Sequence, residues 1–159
     1  YKLKIMADTD LNVATLEVTI TEALSIGHDN GTDSRDFAQT CTHTYGSIVN
    51  SSKKIIKLVN NSLVEVATFS NDDTNNAMFV RPDVRYIRVT NLDGTDALQV
   101  GLDDEDSDAC YTSVAANSSI IYTSVVCEGG NGGTTLDNAT ALKVKGIANQ
   151  QLEVFIASV

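Results

Sequence analysis

The sequence predicts an all-β protein, an antiparallel β-sandwich of jelly-roll-like class, and three observations predict it. Apolar and polar residues alternate with period two in many short runs, and clusters of Gly, Asn and Asp separate those runs. No window of about eleven residues or more carries a capped apolar period of ~3.6, so helix should be scarce. Roughly eight to ten short strands spaced by turn residues suit a sandwich better than a βαβ fold. At 159 residues the chain fits one domain, residues 1–159. A chain of that size buries about two thirds of its unfolded surface without metals or disulfides.

Taken in order, Thr15–Leu24 alternates Leu16, Val18, Ile20 and Leu24 against Glu17, Thr19 and Thr21, the pattern of a half-buried strand. A turn-rich stretch, His28–Asp33, follows. The Thr-rich run Gln39–Tyr45 is β-branched but poorly apolar, which suits an edge strand or a loop. Lys53–Val59 and Leu63–Phe69 flank Asn60-Asn61-Ser62, whose asparagines tolerate the positive φ of tight turns, so a hairpin is expected there. Asn71–Asn76 is turn chemistry, and the single proline, Pro82, should mark a strand entry.

Val84–Leu102 is the clearest segment. Ile87 and Val89 alternate against Tyr86, Arg88 and Thr90, then Asp93-Gly94 supplies a turn, and Leu98, Val100 and Leu102 take the matching apolar face. It reads as one complete hairpin. Strands are further expected over Ser119–Val126, Ala141–Ile147 and Leu152–Val159, with the Gly129–Gly133 loop before the last two. In the terminal strand Leu152, Val154 and Ile156 share one face, which leaves Phe155 turned outward toward a partner.

Composition narrows the function classes. Eleven Lys and Arg against twenty-one Asp and Glu give a net charge of −10. That charge repels a polyphosphate backbone and anionic lipid surfaces, so neither nucleic acid nor a membrane is an expected partner. No apolar run approaches the ~20 residues of a membrane-crossing helix, and a soluble protein is expected. Position 1 is Tyr and not Met, so a preceding segment is expected to have been removed or to lie outside the numbering. Cys41, Cys110 and Cys127 are too few for a disulfide framework and read as buried thiols, with a Cys110–Cys127 bridge as the alternative.

No catalytic, cofactor-binding or metal-binding residue is assigned. Asp103–Asp108 is rich in oxygen donors, but it lacks the central Gly and distant Glu of a calcium loop and reads as a solvated acidic loop. His28 and His43 stand too far apart and too alone for zinc and read as surface or turn residues. There is no Gly-x-Ser-x-Gly elbow or arguable nucleophile–base pair, and Gly129–Gly133 lacks the Lys-Ser/Thr ending of a phosphate loop. The chain has no Trp to serve as a sugar platform for paired carboxylates. Asn-x-Ser/Thr patterns at Asn30, Asn50, Asn60, Asn117 and Asn138 are explained by turn usage. An enzyme is not expected.

Three segments carry a resemblance: the run from Leu16 through VTITEALSIG, then VRYIRVTNLDGTD from Val84 to Asp96, and the terminal LEVFIASV. They resemble small β-sandwich virion proteins of marine tailed bacteriophages. The acidic Asp103–Asp108 loop and the Gly129–Gly133 loop depart from that pattern. The resemblance implies a non-enzymatic virion structural protein that decorates or cements the capsid exterior. Its implied partners are the major capsid protein or other virion proteins, and a homo-oligomer such as a trimer. Edge-strand residues are the expected contacts, with Phe155 and Tyr86 as candidates. Two other roles fit the same architecture: a tail or head-fibre component that binds a host receptor or glycan through its loops, and an extracellular filament subunit that polymerises through strand edges.

Overall fold

The computed structural model describes residues 14–26, 35–71, 77–104, 109–123 and 139–159. Among them the protein is nearly all β, and the only helical turn is a 3-10 turn, Arg81–Asp83. The chain divides into two compact units, residues 1–48 and residues 49–159.

The first unit contains strands β1 (Ala14–Ile26) and β2 (Arg35–Ile48), which form a two-stranded antiparallel ribbon. The Thr-rich run around Gln39–Tyr45 is thus a strand. The register jumps between Ala14↔Ile48 and Leu16↔Tyr45, so that Gly46 and Ser47 lie opposite Thr15. This is a β-bulge, and Ser47 adopts a positive φ of 60° within it.

The second unit holds two sheets. One runs in the order β3 (Asn50–Lys57), β11 (Gln151–Ser158), β6 (Val84–Asn91), β9 (Ser119–Thr123), with every pair antiparallel. The other runs β5 (Phe79–Val80), β4 (Val64–Ser70), β10 (Ala139–Lys145), β7 (Leu98–Asp104), β8 (Ala109–Val114), antiparallel except for the two-residue β4–β5 contact. Both sheets send their apolar rows into one core: Ile87, Val89, Leu152, Val154 and Ile156 from the first, and Val66, Leu98, Val100, Leu142 and Val144 from the second. Alternation in the sequence therefore assigned the core faces correctly.

It did not assign strand partners. Val84–Leu102 is not a hairpin, because β6 lies between β11 and β9 while β7 lies between β10 and β8 in the other sheet. The expected hairpin over Lys53–Phe69 is likewise absent, since β3 pairs with β11 and β4 with β10 and β5. The physical reason is the same in both cases. In a hairpin two consecutive apolar rows lie side by side on one sheet and still need a cover, whereas in two sheets each row helps to cover the other. Residues 92–97 form the bridge between β6 and β7. There Asp93 Oδ1 accepts from the backbone N–H groups of Thr95 and Asp96, each at 2.9 Å, and turns the chain away from its own strand.

Pro82 does stand at a strand entry. It sits in the 3-10 turn, and the Val84 N–H closes that turn on the Arg81 carbonyl as β6 begins.

Candidate functional site

Among the described residues, three places combine exposure or buried polarity with a defined geometry. The first is the β1–β2 ribbon. Among the described residues, its strands pair with each other and with no further strand. Period-two alternation gives it two unlike faces. Leu16, Val18 and Ile20 lie in one row opposite Tyr45, His43 and Cys41, while Glu17, Thr19 and Thr21 lie in the other opposite Thr44, Thr42 and Thr40. On the polar face the Thr19 and Thr42 hydroxyls are 3.3 Å apart and those of Thr21 and Thr40 3.5 Å, forming a ladder. On the apolar face Leu16 and Val18 are half-buried and Ile20 is 40% exposed. Cys41, expected to be a buried thiol, is exposed there, with its Sγ 3.3 Å from His43 Nε2. The correction follows from its setting, since a ribbon two strands wide has no interior.

The second place is the outward face of the five-stranded sheet. Lys143, Gly101 and Tyr111 occupy one cross-strand row and Lys145, Gln99 and Ser113 the next. The Tyr111 hydroxyl donates to Asp103 Oδ1 at 3.2 Å, and Asp103 Oδ2 is ion-paired with the Lys143 ammonium. Hydrogen bonding to Asp103 holds the Lys143 ammonium above its ordinary range, against partial desolvation. Burial, and then the Asp103 charge, push the Tyr111 phenol up. Asp103 therefore belongs to a sheet-face network and not to the acidic loop, of which residues 105–108 lie outside the described residues. Gln99, Tyr111, Lys145 and the loop residues Asn61, Ser62 and Leu63 line a cleft of about 440 Å³.

The third is a polar knot at one end of the second unit, which sequence reading missed. Asn91 is fully buried and Gln150 is 1% exposed. Asn91 Nδ2 donates to the carbonyls of Asp96, Val114 and Ala115 at 2.7, 3.2 and 3.1 Å. Gln150 Nε2 donates to Asn91 Oδ1 at 3.2 Å and to the Asp96 carbonyl at 3.0 Å, and its Oε1 accepts the Ile147 N–H at 3.0 Å. Two amides thus satisfy loop backbone groups that burial would otherwise leave unpaired. Both side chains act inside the fold, so the knot positions loops and offers nothing to a ligand.

The named contact candidates fare differently from expectation. Tyr86 and Phe155 lie on β6 and β11, the two inner strands of their sheet, whose edges are β3 and β9. Tyr86 is only 2% exposed and Phe155 half-buried, and their rings pack with centroids 5.8 Å apart. The Arg88 guanidinium stands 5.9 Å from the Phe155 centroid and pairs with Glu153 at 2.6 Å, while Lys53 reaches Glu153 from β3 at 3.0 Å. This outward face is internally occupied, which removes Tyr86 as an exposed anchor. The Lys53 hydrogen bond, followed by that of Arg88, holds the Glu153 carboxyl below its ordinary range.

His43 is exposed on β2, whereas His28, Cys127, the Gly129–Gly133 loop and the side chain of Cys110 lie outside the described residues. Among the described residues no group of three or more His, Cys, Asp or Glu is arranged to hold a metal ion. No helix among them is long and apolar enough to cross a membrane. Compared with protein-family models, curated proteins and solved structures, the chain finds no significant match.

Proposed function

We propose that this chain is a non-enzymatic structural protein of a tailed-phage virion, which decorates or cements the capsid exterior as a homo-oligomer assembled through its β1–β2 ribbon. The fold proposed with it is a two-layer antiparallel sandwich of jelly-roll type. Numbering β3, β4 and β6–β11 one to eight in chain order gives sheets 1-8-3-6 and 2-7-4-5, with β5 as an added edge, and that order supports the jelly-roll reading. The resemblance of the 18–27, 84–96 and 152–159 segments to phage virion proteins supplies the location.

The ribbon is the observation that carries the assembly reading. A two-stranded hairpin alone in water is marginally stable, and this one keeps an apolar row exposed at Ile20. In a symmetric oligomer the cover is the same row of another copy. At ~3.4 Å per residue and ~4.8 Å between strands, one ribbon face is about 40 Å by 10 Å, or ~400 Å². Two faces together bury ~800 Å², short of the ~1,200 Å² at which stable pairwise interfaces begin, so the ribbon contact is modest by itself. Repeated copies on a symmetric shell then add avidity to modest individual contacts.

Immunogold labelling of intact particles with an antibody against this chain tests the location. Regular label over heads supports decoration, and label confined to a vertex or tail moves the protein to an attachment role. Absence of label from all particles overturns the virion reading.

A further inference from the structure

We infer that the cleft beside Tyr111 is a binding site for an acidic saccharide, a sugar bearing a carboxylate. Saccharide recognition joins an aromatic face, against which the C–H face of a pyranose packs, to planar polar groups that meet its hydroxyls. Both parts are present on one sheet face. Tyr111 is 40% exposed, and its hydroxyl is tethered to Asp103, which fixes the ring before a ligand arrives.

The neighbouring row supplies the polar groups. Gln99 and Lys145 are directly paired across β7 and β10, next to the row in which Gly101 faces Tyr111. Both side chains are exposed, and neither is engaged in a hydrogen bond or ion pair with the described residues. The Gln99 amide carries a donor and an acceptor for vicinal hydroxyls. Lys145 contrasts with Lys143, whose charge is already matched by Asp103. An uncommitted ammonium beside a sugar platform selects a carboxylate locally, against the repulsion of a chain with a net charge of −10.

The wall opposite is preformed as well. Asn60 Oδ1 accepts the Ser62 N–H at 2.9 Å, which sets the turn that brings Asn61, Ser62 and Leu63 to the cleft. The volume of about 440 Å³ falls within the ~300–1,000 Å³ of small-ligand sites. The whole cleft lies within residues 49–159 and owes nothing to the ribbon, so this inference stands or falls separately from the virion reading.

The test is titration of the full chain with tetragalacturonate and with its fully methyl-esterified form, followed by calorimetry and amide chemical shifts. The acid form should bind and shift resonances of Gln99, Tyr111 and Lys145, and it should weaken as salt rises. Lys145→Gln should cost about tenfold for the acid form and erase its advantage over the ester. Tyr111→Ala should weaken both forms by about tenfold, whereas Tyr111→Phe, which keeps the ring, should retain most of the binding. Unchanged amide spectra outside the cleft report that each variant is folded. No binding of either form overturns the inference, as does binding that Tyr111→Ala and Lys145→Gln leave unaltered.

Discussion

At the scale of single residues, the buried amides have the sharpest consequences. Asn91 points an NH₂ at three carbonyl oxygens, so its chemistry matters more than its shape. Asn91→Ala should lower stability by about 1–3 kcal/mol, through the acceptors it strands. Asn91→Asp should cost more at neutral pH, since a carboxylate would face three carbonyls with no proton to donate. Urea unfolding of the three proteins gives the order directly. Gly146 is fixed by the same knot, because a Cβ there would lie 2.0 Å from Gln150 Oε1 and 2.9 Å from Leu58 Cδ1. Gln150 Oε1 is held by the Ile147 N–H and is not free to retreat. Gly146→Ala should therefore destabilise by about 1–3 kcal/mol in the same assay.

Glu153 gives a pH signature. Its carboxyl is held below the ordinary value of 4.5 in the folded protein by Lys53 and then Arg88. A depressed folded pKa means that the unfolded chain takes up the proton first on acidification. The stabilisation is thus complete above about pH 4.5 and fades as pH falls through the lowered folded value. Glu153→Gln should flatten that part of the curve of unfolding midpoint against pH and leave the slope near neutrality unchanged. Lys143 runs the opposite way. Its raised folded value keeps its contribution whole below about 10.5, and the contribution is lost as pH climbs from there through the raised folded value.

At the scale of elements, the ribbon separates faces that look alike in composition. Ile20 and Thr21 are adjacent on β1, yet alternation puts them on opposite faces, Ile20 against Cys41 and Thr21 against Thr40. If the apolar row is the surface between copies, Ile20→Lys should abolish the oligomer and Thr21→Lys should spare it. Sedimentation velocity of the two variants decides the matter. A monomeric parent protein, or equal loss in both variants, contradicts assembly through this row. The second unit has no such need of a cover. Its core cluster is drawn wholly from residues 58–156, and both sheets contribute to it.

At the scale of the whole molecule, that division predicts that residues 49–159 fold on their own. Removal of residues 1–48 should leave a cooperative urea transition and abolish self-association together, measured by unfolding and light scattering on one sample. A truncated chain that stays oligomeric would place the contact elsewhere on the second unit.

The sequence by itself determined most of the strands, though not β5 or β8, and which face of the alternating ones is apolar. Leu16, Ile87, Leu98, Val144 and Val154 all declare themselves by alternation, a property local to each strand. That Asp93-Gly94 ends a strand was legible from its turn chemistry, whereas the hairpin expected of it was not formed. Pairing was not legible, because every strand offers the same backbone donors and acceptors to any neighbour, and only the need to close one core across two sheets chooses among them. Tertiary structure alone therefore split the Val84–Leu102 and Lys53–Phe69 segments between sheets and buried Tyr86 on an inner strand. It also joined Asn91 to Gln150, far apart in the chain, since an amide in a turn-rich sequence looks the same whether it faces water or closes a buried network. The Tyr111 cleft arose the same way, from three strands and a loop whose register no local pattern encodes.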